Sequence, residues 1–542
     1  MTRISNLMHE RTRSHLASRA IQADLNAEKL LVPARSRANL LASTLFVASL
    51  VYYLWAATIG WRNAITDAHA FRQTQTALTV SSLLRGGPWL IYETPVLGPP
   101  WSIPYEFPLY QWIVASLVQT TGMALDPAGR AVSVVFFLLT LWPAGKILAN
   151  LHFSVPSRLV ILSLLLCSPF YIFWSRTFMI ESLSLFLATS SLACVLGMLR
   201  RPSAGRMAAT SIVMSLAAVV KVTTFLPFLC AAVLVLGVDA LRRDGIFRTM
   251  GWGRRGLMVL ACIIVPCLAL AAWTRVAEHA RCENPFGHYM QPALNRWLLG
   301  TLDQRLSMET WRVIASRLDQ PLGRTTYFAI AAMGLIMARR RYVEVLACLA
   351  MYLVGLLTFT NLFYVHDYYF FANNIFLIAA VGISITAMVE YGRPLRAGAI
   401  AALLLLFCTS ILDHCLTFRP LQKHNQLAIK KLSKAIRERT SPDDVVVALG
   451  FEWSSEIPYY SERRALCIPS WSQPDQIRES LKALAPYSIS AVVTLPPADR
   501  PITVDALLAM LRAQGFQSEP SPVDPPYKLL LRAGRSEARA KR

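Results

Sequence analysis

Long apolar runs separated by clusters of arginine are the feature of this 542-residue chain that most constrains its fold. Most of the runs approach the ~20 residues with which a helix crosses the apolar core of a bilayer. About eleven such runs predict a polytopic, all-helical membrane domain. They cover 40–60, 131–149, 158–174, 181–199, 207–220, 222–241, 256–275, 325–338, 343–360, 373–390 and 397–414.

The arginine clusters recur at alternate ends of these runs, and positively charged loops of membrane proteins face the cytoplasm. We therefore expect a multi-pass protein of the bacterial inner membrane with a cytoplasmic N-terminus. The clusters comprise Arg11, Arg13, Arg19, Lys29, Arg35, Arg37, Arg200, Arg201, Arg206, Arg242, Arg243, Arg248, Arg254, Arg255, Arg339, Arg340, Arg341, Arg393 and Arg396.

One further apolar stretch, 108–123, is predicted to lie in the outer membrane interface. A transmembrane helix there would move all later arginine clusters to the outside. With this topology the polar segments that carry candidate chemistry share the periplasmic face. These segments are a long first loop at 61–130, turns near 175–181 and 221, and the stretches 278–324 and 361–373.

After residue 418 the long apolar runs give way to short strand-like and helical patterns in alternation, which predict a small soluble α/β domain. Strand-like runs lie at 445–449, 489–495 and 527–531, and helical patterns at 421–439, 475–484 and 504–515. The predicted organisation is a cytoplasmic basic arm at 1–39, a transmembrane domain at 40–418, a periplasmic α/β domain at 419–533 and a disordered basic tail at 534–542.

The chain carries 54 Lys and Arg against 32 Asp and Glu, a net charge of +22. Such a surplus is typical of nucleic-acid-binding proteins, but here it lies in the loops that anionic lipids of the inner leaflet would face. Membrane lipid is therefore the expected partner, and nucleic acid is not.

Of the ten cysteines, Cys282 and Cys467 lie in predicted periplasmic segments. A disulfide between them is one interpretation, and two free thiols are the favoured one.

Asp67, His69 and Arg72 follow the first predicted span within six positions. Ionisable groups so close to a membrane are costly unless they pair or bind a ligand, so they indicate a functional site. The alternative for Asp67 is that it caps the helix predicted to continue to Leu84. These residues alone favour the two interpretations equally.

Similar residues stand at other periplasmic helix ends. Each has a structural alternative: a carboxylate near a helix N-terminus, a lysine that reaches lipid headgroups, or a tyrosine pair in the interfacial belt. Acids, cations and imidazoles nevertheless recur at one face from four separate parts of the chain, which favours binding of an anionic, lipid-borne substrate. The residues are Glu181, Lys221, His366, Asp367, Tyr368 and Tyr369.

This set of positions resembles the pattern of the GT-C glycosyltransferases. Asp67 stands early in the first external loop, and Arg130 precedes the second span within GRAVSVVFF. Glu181 follows SR at the next external turn, and Lys221 ends the fifth span. The segment EFPLYQW at 106–112 stands where relatives carry an H-x-PPLYYW-like motif. Over residues 66–221 the chain is most similar to the branch of dolichyl-phosphate-mannose protein mannosyltransferases, which includes the aminoarabinose lipid A transferases.

The resemblance implies transfer of a sugar from a polyprenyl-phosphate carrier to an acceptor hydroxyl, usually with inversion at the anomeric carbon. The expected acceptor is an envelope glycan or glycolipid, and a protein Ser or Thr hydroxyl is the alternative. Ala68 follows Asp67 where many relatives have a second acid, and Glu181 stands where Asp is common. Both departures argue against a tightly bound divalent metal. If Mg²⁺ or Mn²⁺ does bind, Asp67 and Glu181 are its expected ligands.

A transporter or lipid flippase is the rival class, but its ionisable residues would more often lie in mid-span. The spans here are mostly free of charge. Sugar transfer needs a base for the acceptor hydroxyl and cations for the departing phosphate. The assigned roles are Asp67 as base with His69 or Glu181 positioning it, Arg72, Lys221 and His366 as phosphate ligands, and Glu106, Tyr110, Asp367, Tyr368 and Tyr369 as further substrate contacts.

Overall fold

The structure is a computed structural model that describes residues 36–318, 324–337, 341–391, 393–425, 427–495, 502–513 and 515–533. Nearly all of the predicted basic arm, the whole basic tail, and Arg339 and Arg340 lie outside these residues. The described chain forms a helical bundle followed by a small α/β domain. The predicted fold class is confirmed.

Each predicted apolar run coincides with one helix or, at 158–174, with two. Among the described residues, seven helices are long and apolar enough to cross a membrane. Three further apolar helices are shorter, Val155–Cys167, Ala204–Val220 and Tyr342–Thr358. The chain is thus a multi-pass membrane protein, while the count of eleven spans stays a prediction.

The helices of the bundle and its loops are numbered in chain order. They are α1 Ser36–Ala57, α2 Ala70–Leu84, α3 Leu109–Thr121, α4 Leu125–Asn150, α5 Val155–Cys167, α6 Pro169–Trp174, α7 Glu181–Arg200, α8 Ala204–Val220, α9 Val222–Leu241, α10 Ile246–Thr249, α11 Trp252–Cys282, α12 Pro285–Leu299, α13 Leu302–Leu306, α14 Met308–Leu318, α15 Arg324–Met337, α16 Tyr342–Thr358, α17 Thr360–Val365, α18 Phe370–Tyr391, α19 Arg393–Asp413, α20 Arg419–Lys423 and α21 Leu427–Arg439.

The run at 158–174 is broken because Ser168 starts a new helix. Its hydroxyl oxygen accepts a hydrogen bond from the Tyr171 amide, and Pro169 takes the first helical position, where an amide hydrogen would have no partner in the helix.

Within the first loop, α3 is the helix predicted for 108–123. It ends at Gly122, whose φ of +67° is a conformation that glycine adopts at little cost.

The C-terminal domain is built on a five-stranded sheet of order β2-β1-β3-β5-β4. The strands β1 and β3 and the helices at 474–483 and 504–512 match predicted elements, whereas β2 and β4 were not predicted. β2 and β3 pair parallel with β1, and β5 pairs antiparallel with β3 and β4. The elements are β1 Val445–Leu449, α22 Glu456–Ser461, β2 Arg464–Ile468, α23 Pro474–Ala483, β3 Ile489–Thr494, α24 Val504–Arg512, β4 Ser518–Ser521 and β5 Lys528–Arg532.

The first loop extends this sheet and thereby joins the two domains. The amides of Ala465 and Cys467 on β2 donate to the carbonyls of Pro95 (3.1 Å) and Val96 (2.8 Å). On the membrane side, Tyr460 donates to Asp126 at the start of α4 (3.3 Å). Because the exposed edge of β2 is covered by the loop, the domain is held over the end of the bundle. Cys467, like Cys282, is a free thiol.

The two ends of the bundle are expected to face opposite compartments. Lys482 on α23 and Arg243 after α9 are both exposed, so Lys482→Cys should react with a membrane-impermeant maleimide in intact cells with a permeable outer membrane, and Arg243→Cys should react only after lysis. Labelling is measured above the background of the native cysteines. Equal labelling of both variants in intact cells would contradict the predicted topology.

Candidate active site

Four parts of the chain bring ionisable side chains to one end of the bundle. Glu181 is the first residue of α7, Lys221 immediately precedes α9, and residues 366–369 lead into α18. From the first loop, α2 contributes Arg72. Residues as far apart as His69 and Asp367, separated by 298 positions, are in direct contact there.

Lys221 and Glu181 form a buried ion pair. The ammonium group donates to both carboxylate oxygens of Glu181, and only 12% and 2% of the two side chains are exposed. The same ammonium group lies 4.8 Å from the ring centre of Tyr369 and 5.6 Å from that of Tyr368. The lysine is therefore held by a carboxylate and two aromatic faces, a cation–π arrangement that fixes its position.

His69 and Asp367 form the second pair, with 2.7 Å between Nε2 and Oδ1. His69 has a φ of +51° at the residue before α2, and its ring contacts those of Trp174, Tyr368 and His366 at 5.5, 5.0 and 5.1 Å. About one fifth of each side chain of the pair is exposed, 19% and 21%. The strained backbone of His69 is thus held in place by a hydrogen bond to Asp367 and by contacts with three rings.

Arg72 and Glu106 form the third pair, 3.0 Å apart. Arg72 also donates to the side-chain oxygen Oε1 of Gln75 (2.7 Å), and the side-chain amide of Gln111 donates to Glu106 (3.3 Å). Burial is the largest single influence and disfavours the charged guanidinium, but Glu106 and the neighbouring Tyr368, Tyr369 and Glu181 together outweigh it, and the pKa of Arg72 is raised above its usual value. The arginine remains charged and lies within electrostatic range of Glu181.

His366 lies between the other members of the cluster. Burial and the neighbouring His69 lower the pKa of His366 to about 4, so its imidazole is neutral at neutral pH. A neutral imidazole binds phosphate as a hydrogen-bond donor and adds no positive charge. Its predicted phosphate contact would take that form.

Asp67 occupies a separate, deeper position. Its carboxylate accepts from the Gln73 amide, lies 3.4 Å from Arg176 and 3.8 Å from Arg130, and is 2% exposed. Burial lowers the pKa of Arg176 to about 10, against the opposing effect of Asp67. The residue before α2 is His69, and no side chain there caps the helix. Asp67 therefore contacts two buried arginines and does not take the helix-capping role that its sequence position allowed.

Tyr110 also lies away from the cluster. It is fully buried, and its hydroxyl donates to the Gly129 carbonyl oxygen and contacts the Ser133 hydroxyl, both at 2.8 Å. The structure thus gathers nine of the eleven predicted site residues and leaves Asp67 and Tyr110 at buried positions below them. The nine are His69, Arg72, Glu106, Glu181, Lys221, His366, Asp367, Tyr368 and Tyr369.

A divalent metal does not fit the carboxylates of the described residues. Asp67 is paired with two arginines, and Glu181 is paired with Lys221. The two predicted metal ligands therefore contact different cations. No group of three His, Cys, Asp or Glu side chains in the described ranges converges on a common point. Mg²⁺ and Mn²⁺ prefer several converging oxygen ligands, and these two carboxylates do not provide them.

The sequence interpretation missed three residues that shape this end of the bundle. Arg176 and Gln73 hold Asp67, and the ring of Trp174 lies against His69. Arg176 belongs to the SR pair next to the predicted turn, and a charged residue between two apolar runs was a usable signal. Gln73 and Trp174 are ordinary helix residues whose roles depend on contacts that span the chain.

No family model matches the sequence, and no curated protein matches it. Among solved structures, ArnT from Cupriavidus metallidurans bound to undecaprenyl phosphate is similar with a TM-score of 0.55 and 13% identity, over 90% of this chain and 97% of that one. AglB from Archaeoglobus fulgidus, in complex with an inhibitory peptide and a dolichol-phosphate, has a TM-score of 0.51 at 10% identity, over 83% of this chain and 69% of AglB. The mycobacterial arabinofuranosyltransferase AftD has a TM-score of 0.51 at 13% identity, over 92% of this chain and 40% of AftD.

At sequence identities this low, the structural similarity establishes a shared fold and nothing further. The similarity to ArnT includes nearly the full length of both chains, so the membrane bundle and the C-terminal domain both contribute to it. The resemblance that the sequence predicted is thereby confirmed as one of architecture: the chain shares the fold of ArnT, AglB and AftD.

Proposed function

We propose that this protein transfers a sugar from a polyprenyl-phosphate carrier to an acceptor hydroxyl, with inversion, at the periplasmic face of the bacterial inner membrane. The observation that carries the proposal is the pair of cations, Arg72 and Lys221, at one end of the bundle. The two lie within electrostatic range of each other, and both remain partly exposed, at 17% and 12%. The fold of ArnT, solved with undecaprenyl phosphate, supports this class.

The carboxylates beside these cations prepare the site for an anion. Glu106 and Glu181 neutralise Arg72 and Lys221 while no phosphate is present. A phosphate offers stronger, multiply charged acceptor oxygens, and arginine binds it through a planar fork while lysine acts as a point charge. Binding then exchanges one partner for another, and no isolated charge is left in an apolar environment.

The base has two candidates, which differ in exposure. Asp67, the residue expected from the sequence, is 2% exposed, accepts from Gln73 and Arg176, and lies near Arg130. The His69–Asp367 pair lies inside the cluster and is ten times more exposed. We place the base at this pair: Nε2–H of His69 donates to Asp367, and Nδ1 accepts the proton of the acceptor hydroxyl.

The acceptor is proposed to be a hydroxyl of an envelope glycan or glycolipid, and a protein Ser or Thr hydroxyl is the alternative. Mass spectrometry of lipopolysaccharide, other glycans and envelope proteins from a deletion strain separates the two by showing which of them loses a sugar. A transporter or flippase would leave every covalent structure unchanged. That outcome would contradict the proposed activity.

Arg72→Gln is expected to weaken binding of undecaprenyl phosphate by roughly 1.5 to 3 kcal/mol, the contribution of a hydrogen bond to a charged group. Glu106 keeps the amide of Gln111 as a partner, so the variant should fold. Affinity is measured by the rise in melting temperature of the detergent-purified protein on titration. Lys146→Gln is the matched control, because this exposed lysine lies near the opposite end of α4. Equal affinity in Arg72→Gln and the control would remove Arg72 from the phosphate site.

Asp367→Asn is expected to lower product formation by ~10²- to 10⁴-fold, because His69 would lose the carboxylate that holds it in the tautomer required for its role as base. The measurement is the yield of the sugar-modified product when the deletion strain is complemented at equal protein level. Affinity for undecaprenyl phosphate should not change, because Arg72 and Lys221 are untouched.

Asp67→Asn is the companion variant. It weakens a buried contact with two arginines, so a lower melting temperature is expected, with loss of product in proportion to the loss of folded protein. If Asp67→Asn instead keeps the wild-type melting temperature and abolishes product while Asp367→Asn stays active, the base is Asp67, as predicted from the sequence.

A further inference from the structure

A cavity of about 740 Å³ lies between the helices at the end of the bundle away from the candidate site cluster. It is enclosed by the later halves of α4, α7 and α9, the start of α16 and the middle of α18. The same α7 and α9 carry Glu181 and Lys221 at their first turns. Because α7 has 20 residues, its two ends are roughly 30 Å apart, so the cavity and the cluster are distinct sites.

The walls of the cavity are apolar over most of their area. They are formed by aliphatic and aromatic side chains from several helices, most of which are buried. Its volume falls in the range of roughly 300 to 1,000 Å³ that is usual for binding pockets of this kind. Representative wall residues are Leu148, Leu162, Leu196, Phe228, Val235 and Ile383.

The rim at the far end of the cavity has a surplus of positive charge, with three arginines against the carboxylates of Asp239 and Glu344. Arg200 donates to the Asn150 carbonyl oxygen (2.7 Å), a neutral partner, so its charge is not compensated there. Arg341 is paired with Glu344 at 2.8 Å. The side chain of Arg242, at the end of α9, makes no ion pair or hydrogen bond within the described residues and is exposed.

We propose that this cavity binds an anionic phospholipid of the leaflet that it faces, with an acyl chain between the helices and the phosphate at Arg242 and Arg200. An apolar interior with a basic rim is complementary to such a lipid and not to a soluble metabolite. The surrounding loops add Arg201 and Arg248, and basic segments at a membrane surface attract anionic headgroups.

The polyprenyl donor does not suit this cavity. Its phosphate would belong with Arg72 and Lys221 at the other end of the bundle, and its sugar must reach the His69–Asp367 pair. A donor seated with its phosphate at Arg242 would lie the length of α7 away from every candidate catalytic group. The bound lipid is therefore a structural component of the protein, distinct from the donor that the proposed function requires.

Native mass spectrometry of the intact detergent-purified protein tests the proposal with two lipids of identical acyl chains, phosphatidylglycerol and phosphatidylcholine. Phosphatidylglycerol is expected to bind more tightly. Arg242→Ala should weaken it by about tenfold, the loss of one charge-assisted contact, and should weaken phosphatidylcholine less, because the choline cation of that lipid already neutralises its phosphate. Arg243→Ala is the matched control, because this neighbouring arginine does not line the cavity.

A second pair of variants tests the acyl chain. Ala347→Phe on α16 would fill part of the cavity and should abolish binding of both lipids, whereas Ala350→Phe on the exposed face of the same helix should not. Equal affinity for the two lipids in wild type, or an Arg242→Ala variant that binds phosphatidylglycerol normally, would overturn the proposal. Displacement of phosphatidylglycerol by equimolar undecaprenyl phosphate would assign the cavity to the carrier and would overturn it as well.

Discussion

The contact of Asp67 with Arg130 and Arg176 determines where the candidate site cluster lies. All three side chains are almost completely buried, with 2% exposure or less. Between α1 and α2 the chain is irregular, and irregular backbone at the edge of a membrane needs protein partners for its carbonyl groups. The two arginines supply them, by donating to the carbonyl oxygens of Gly60, Trp61, Asn63 and Ala64.

Asp67 compensates the positive charges of the two buried arginines, Arg130 and Arg176. Two guanidinium groups buried without a carboxylate would be strongly destabilising. Gln73 completes the arrangement, since its amide nitrogen donates to Asp67 and its oxygen accepts from the Phe178 amide at 3.0 Å. The first turn of α2 is thereby fixed to the turn before α7, and His69 and Arg72 are carried into position beside Glu181.

The ends of the membrane helices could be predicted from the sequence, and with them most of the cluster. Glu181 and Lys221 stand where apolar runs stop, so their common face followed from topology alone. The partners of Asp67 could not be predicted, because Arg176 lies 109 positions away and its approach depends on how α6 packs. The strand β4 was missed because its sequence, SEPS, is polar and contains proline, which a sheet tolerates only at an edge.

The bundle has buried ion pairs at one end and an apolar cavity at the other. The ion pair between Glu181 and Lys221 keeps its geometry only if α7 and α9 do not move relative to each other. Packing between these helices in the half that contains the cavity is incomplete, because wall residues such as Leu196 and Val235 face open space there. A lipid chain in that space would supply the missing contacts and, by binding only the folded state, stabilise it in proportion to lipid concentration. The position of Lys221 beside Glu181, on which the proposed phosphate binding depends, would then be maintained partly by the membrane itself.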